Sequence, residues 1–147
     1  MPTFRSPSQR DALIQRLQRL GPDAQPRWGS LTAPRLLCHL CDTLAMAVGE
    51  LPVPPMNKRV FHHFPMKHLI LYVLPFPRGV PTSRELLSSS PASFDADRQR
   101  VLELIARLAA SPGALGPSHP LFGPLNNDEW NALQAKHLAH HLTQFGL

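Results

Sequence analysis

The chain has 147 residues, 43% of them hydrophobic, and carries 15 Lys+Arg against 10 Asp+Glu, a net charge of +5. That size fits a single domain, 1–147, with a core of its own, and the composition is ordinary for a globular protein. The basic residues are scattered and aromatics are only 7% of the chain, which argues against a nucleic-acid interface. Two cysteines, Cys38 and Cys41, make no disulfide framework. The longest apolar run, residues 69–76 with Pro75 inside it, is too short to span a bilayer. The N-terminal stretch MPTFRSPSQRD has no apolar core of a secretory signal, so the expectation is a cytoplasmic protein.

Ser6 and Pro7 open the first helix, because serine can cap and proline suits the first helical position. Leu13, Ile14, Leu17 and Leu20 recur at helical spacing, and Gly21-Pro22 ends the run. Thr32 is a good cap for a second helix reaching about Val48, with Leu36, Leu40, Leu44 and Ala47 on its inner side. His39 borders that side, in line with Thr43 and Met46. Residues 51–55 are a proline-rich link. Residues 57–74 read as helix that Pro65 kinks or splits, with a strand over 69–74 as the alternative.

Residues 75–91 form a loop with one helical turn at 83–87. Ser93 or Asp95 caps a helix to about Ala110, striped by Val101, Leu102, Ile105 and Leu108. A loop holding His119-Pro120-Leu121-Phe122-Gly123 then leads to one long helix over 126–147. Asn126 with Glu129 three residues later fits a capping box. Leu138, Leu142 and Phe145 stripe this helix, and Trp130, Gln134, His137, His141 and Gln144 run beside them. Four main helices with connections of unequal length predict an all-α fold, an antiparallel four-helix bundle with an inserted Pro-rich helical excursion.

His137 and His141 are four residues apart, so they share a helix face and can hold one metal ion. The competing reading is a polar face that is simply rich in histidine, since His140 lies there too. His39 offers a third vertex; a hydrogen-bonded core histidine is the alternative. Three imidazoles leave a fourth position for water or substrate, as catalytic zinc sites do. Cys38 and Cys41 sit inside one helix with no second pair to complete a zinc site, and read as structural thiols. His62, His63 and His68 read as solvated. His119 is a candidate for a hydrogen bond near the site, and Trp28 and Trp130 read as core anchors.

Four stretches carry a family resemblance: Trp28-Gly29-Ser30-Leu31-Thr32 leading to His39, Pro75-Phe76-Pro77-Arg78-Gly79-Val80-Pro81-Thr82, His119-Pro120-Leu121-Phe122-Gly123-Pro124-Leu125, and Glu129-Trp130 with His137-Leu138-Ala139-His140-His141-Leu142-Thr143-Gln144-Phe145-Gly146. Through them the chain resembles the DinB-like, damage-inducible metal-binding four-helix bundles, in an uncharacterised branch of that superfamily. The resemblance implies a divalent metal on His39, His137 and His141, zinc or nickel foremost, with iron or manganese as alternatives. His119, Gln144, Trp130 and Thr43 are candidates for the surrounding shell or pocket. It further implies a metal-dependent S-transferase or related enzyme acting on a small molecule such as a low-molecular-weight thiol. The alternative is a non-catalytic, stress-related metal- or small-molecule-binding bundle of unknown function. A homodimer is the base expectation for oligomeric state.

Overall fold

The computed structural model describes residues 1–56, 59–76, 84–116 and 118–147. Among these residues five α-helices appear in order: α1 Pro7–Gln18, α2 Ala33–Ala47, α3 Met66–His68, α4 Phe94–Ala110 and α5 Asn127–Gln144. Single turns of 3-10 helix occur at Arg59–His62 and Arg84–Leu87, and a π turn at Leu69–Val73. Among the described residues there is no strand, only an isolated bridge between His119 and Gly123. Nor is any helix there long and apolar enough to cross a membrane.

The helix ends follow local chemistry. Thr32 accepts from the Arg35 N–H at 3.4 Å, as its cap position requires. Asn126 and Glu129 form a reciprocal capping box, each side chain bonding the other's N–H at 2.9 Å. Ser6 and Ser93 occupy cap positions without a capping bond. Ser6 turns instead to the Ser8 hydroxyl, and at α4 the Asp97 carboxylate takes the Ala92 N–H. α5 stops at Gln144, three residues short of the expected 147. Gly146 (φ +78°) reverses the chain there, and the Gly146 and Leu147 N–H groups close on the Thr143 and Leu142 carbonyls.

The expected helix over 57–74 is the least accurate expectation. Residues 57 and 58 lie outside the described residues. The remainder is a 3-10 turn, then Pro65, then α3 running into the π turn. The strand alternative for 69–74 is corrected to that π turn. Lys136 on α5 gathers the Ile70 and Leu71 carbonyls of this turn and that of Leu74 just after it, which favours a coiled backbone over an extended one. Of the turn expected at 83–87, Arg84–Leu87 is 3-10 helix; residue 83 and the 77–82 part of the second motif lie outside the described residues.

Side-chain bonds set the helix directions. Arg5, just before α1, reaches Asp128 at the start of α5 (3.2 Å), and Arg16 near the end of α1 reaches Thr143 near the end of α5 (3.2 Å). α1 and α5 therefore run parallel. Cys41 meets the Asp97 carbonyl at 3.5 Å, and Glu50 beyond α2 pairs with Arg100 and Arg107, so α2 and α4 are parallel as well. α4 and α5 are antiparallel, since Asn131 bonds the Leu108 carbonyl (3.3 Å) and Asn127 that of Ser111 (2.6 Å). α2 and α5 are also antiparallel: His39 faces His137, while Gly116 sits between the Ala47 carbonyl and the Trp130 ring. The antiparallel expectation thus needs correcting for α1/α5 and α2/α4. The long stretch between α2 and α4 carries the chain back along the molecule before α4 starts.

The core lies between these helices. Leu13, Leu17 and Leu20, then Leu36, Leu37, Leu40 and Leu44, then Val101, Leu104, Ile105 and Leu108, and finally Trp130, Leu138 and Leu142 are buried. Each such side chain contributes about 1.5–3 kcal/mol. On α4 the buried position is Leu104, with Leu102 only half-buried.

Candidate metal centre

α2 and α5 cross where each carries histidine. His137 and His141 are one turn apart on α5, so their rings fall on one face, with centroids 4.6 Å apart. His39 projects from α2 between them, 4.9 Å from the His137 ring and 5.1 Å from the His141 ring. The Nε2 atom of His137 lies 3.1 Å from that of His39 and 3.1 Å from that of His141. All three ligand atoms fall within 4.8 Å of one another.

The far side of each outer ring is held by an acceptor. Nδ1 of His39 donates to the Leu86 carbonyl at 2.9 Å. A carbonyl only accepts, so the proton is on Nδ1 and Nε2 carries the lone pair. His141 Nδ1 meets the Gln144 Oε1 at 2.8 Å, and the Gln144 amide nitrogen donates to the Trp28 carbonyl at 2.9 Å. The Trp28 carbonyl dictates which way the amide faces, and the amide in turn puts the His141 proton on Nδ1. The Arg27 N–H adds a 2.7 Å bond to the Gln144 carbonyl. This clamp explains Gly29: its φ is +76°, and a Cβ there would stand 3.1 Å from the Gln144 amide nitrogen.

Two lone pairs are therefore aimed at His137. That residue has one ring proton. On Nε2 it can serve one neighbour well, and on Nδ1 it leaves three lone pairs facing each other. A cation between the three nitrogens would relieve both arrangements. Metal–nitrogen bonds of 2.0–2.1 Å place tetrahedral neighbours about 3.3 Å apart, close to the two separations observed. The three histidines can hold a metal ion.

Burial favours the neutral ligands such an ion needs. His137 is held well below the usual imidazole range, first by loss of hydration and then by His141 and His39. His141 is pushed down to about 4 by burial and by His39. His39 is lowered by burial, against the opposing pull of the Leu86 carbonyl. No carboxylate or thiol joins the cluster among the described residues, so a divalent ion there would keep its full charge.

The whole span from residue 4 to residue 146 matches the family described as "Protein of unknown function (DUF1569)". The chain belongs to that family. No curated protein and no solved structure matches it. The DUF1569 match takes in every group just described, from the Trp28 carbonyl to Gln144.

The other residues singled out in the sequence of this DUF1569 chain lie as follows. Gln144 bonds a ring of the triad. Thr43 is buried and donates to the Leu40 carbonyl of its own helix at 3.2 Å. Trp130 is fully buried further up α5. His119 stacks near the Trp130 ring (5.7 Å) and accepts the Leu121 and Phe122 N–H groups at 3.1 and 3.2 Å, which fixes its own loop. Burial pushes His119 down to about 3. Cys41 is raised to about 12 and Cys38 is raised too, in both cases by burial first and then by Asp97. Thiols so shifted are poor nucleophiles. His62 packs on Gly123, while His63 and His68 are exposed.

Three contributors escaped the sequence reading. Two are main-chain carbonyls, of Leu86 and Trp28, which no side-chain pattern announces. The third is Lys136. It is buried, bonds the carbonyls of Ile70, Leu71 and Leu74, and lies 4.7 Å from the centroid of the Phe76 ring. Its one sequence signal is register, since it follows Leu133 by three residues. Phe76 in turn stands 6.3 Å from His137 and 6.0 Å from His140.

Proposed function

We propose that this chain is a DinB-like four-helix bundle whose function rests on a divalent metal, zinc or nickel, held by His39, His137 and His141. The observation that carries this reading is the convergence of three Nε2 atoms, two of them locked as acceptors by Leu86 and Gln144. The antiparallel pairing of α5 with both α2 and α4 and the long return between α2 and α4 support the bundle assignment. Three neutral donors leave room for one further ligand, which suits a metal-dependent S-transferase, or a related enzyme, acting on a small thiol. A bound divalent ion supplies Lewis acidity that lowers the pKa of a coordinated thiol toward neutrality. The chain's own residues orient: Leu86 and Gln144 aim the rings, and burial keeps them unprotonated.

A second reading is a metal-binding bundle without catalysis. It is favoured by the engagement elsewhere of the carboxylate nearest His39 in sequence: Asp42 is tied to the Ser89 hydroxyl and offers no ready proton acceptor to a substrate. Elemental analysis of the purified protein, beside a His137→Ala/His141→Ala double variant, tests both readings. About one metal per chain, absent from the variant, is expected. No metal in the wild type after reconstitution would end both. Turnover of a thiol with a small electrophile separates the enzyme from the binding protein.

A further inference from the structure

We infer that Trp28, Phe76 and His140 form an aromatic subsite beside the histidine cluster, one that takes the planar apolar part of a neutral or anionic small molecule. The inference rests on the metal-centre reading and adds the class of ligand. The His140 ring lies 6.0 Å from Trp28, 6.0 Å from Phe76 and 5.3 Å from His141. Phe76 also stands edge-on to His137 at 6.3 Å, with the planes at 64°. All three rings are half-buried, unlike the fully enclosed Trp130.

The Phe76 ring and the Trp28 backbone are both held by the scaffold. The Lys136 ammonium lies 4.7 Å from the Phe76 centroid while bonding the Ile70 and Leu74 carbonyls just ahead of it in the chain. The Trp28 main chain is fixed by the Gln144 amide, and the Gly29 turn allows that approach. Half-buried rings on an anchored backbone bind flat apolar groups at low entropic cost. The edges and faces they offer suit offset or T-shaped contact with another ring. The Lys136 ammonium already faces the Phe76 ring, so the subsite disfavours a cationic ligand.

Cobalt(II) as the metal gives a visible spectrum that reports ligand exchange without any need for turnover. The protein loaded with cobalt(II) would be titrated with phenylmethanethiol and with ethanethiol. The same titrations on Phe76→Leu and Trp28→Leu cancel the intrinsic difference between the two thiols. Trp28→Leu keeps the main-chain carbonyl that Gln144 needs, and equal cobalt stoichiometry shows that each variant retains the cluster. The expected result is a preference of about tenfold for the aromatic thiol in the wild type, which falls toward parity in each variant. An equal preference in wild type and variants, with one cobalt bound per chain, overturns the aromatic subsite and leaves the metal centre standing. Failure of the wild type to hold cobalt(II) overturns both.

Discussion

The α2–α5 pair and the stretch that joins α2 to α4 build the same site in opposite ways. α2 and α5 are regular helices with capped ends, and they contribute side chains: three imidazole nitrogens at positions set by helical register. The described parts of the joining stretch hold short 3-10, α and π turns, and they contribute mainly backbone. Leu86 lends a carbonyl to His39, and the carbonyls of Ile70, Leu71 and Leu74 converge on Lys136. The difference teaches where two kinds of information reside. Ligand identity is carried by side chains on the helices, and ligand orientation traces to main-chain oxygens outside them, that of Leu86 directly and that of Trp28 through the Gln144 side chain.

Breaking an orientation contact while sparing every ligand is the strongest test of that division. Gln144→Leu removes the acceptor on His141 Nδ1 and the bond to Trp28. Metal affinity should fall about 10- to 100-fold, as for other partners of ligating histidines, in isothermal titration calorimetry. Unchanged affinity would mean that helix register alone suffices. Lys136→Met next probes the joining stretch. It strips the donor from the carbonyls of Ile70, Leu71 and Leu74, and stability should fall by about 1–3 kcal/mol in urea denaturation. No loss would show that these turns hold themselves.

The smallest effect sharpens the contrast by asking whether His119, outside the cluster, is only scaffold. Burial holds His119 near 3, so between pH 3 and about 6.5 the unfolded chain binds a proton that the folded one refuses. The stability tied to its neutral form is full above pH 6.5 and is lost as the pH falls toward 3. His119→Asn can still accept the two loop N–H groups but does not titrate. Its stability should decline less steeply with acidification, by up to about 1.4 kcal/mol per pH unit. Parallel pH profiles for the two proteins would remove His119 from the acid-sensitive set.

What could be read from the sequence follows the same division. The apolar registers of α1, α2, α4 and α5, the Thr32 cap and the Asn126–Glu129 box are local, and each was legible. The spacing of His137 and His141 was legible for the same reason, and His39 from its place beside the apolar side of α2. Residues 57–74 were not. Pro65 interrupts any period, and the mixed aromatic and β-branched content suits helix and strand alike. The parallel pairing of α2 with α4 was also hidden, because connection length alone does not say which way a returning chain will run. The carbonyls of Leu86 and Trp28 could not be foreseen, since every residue owns one and only the fold decides which is used.

His39 and His137 touch although 98 positions separate them along the chain. Bringing such distant positions together lowers chain entropy by an amount that grows with the logarithm of the loop between them. An ion gripped at both ends in the folded protein, and by neither in the unfolded one, would act as a removable staple across two thirds of the polypeptide. Withdrawn by a chelator, it would leave a chain that melts at a lower temperature, opens more often and is cut sooner by proteases. Metal supply would then govern how long each copy survives.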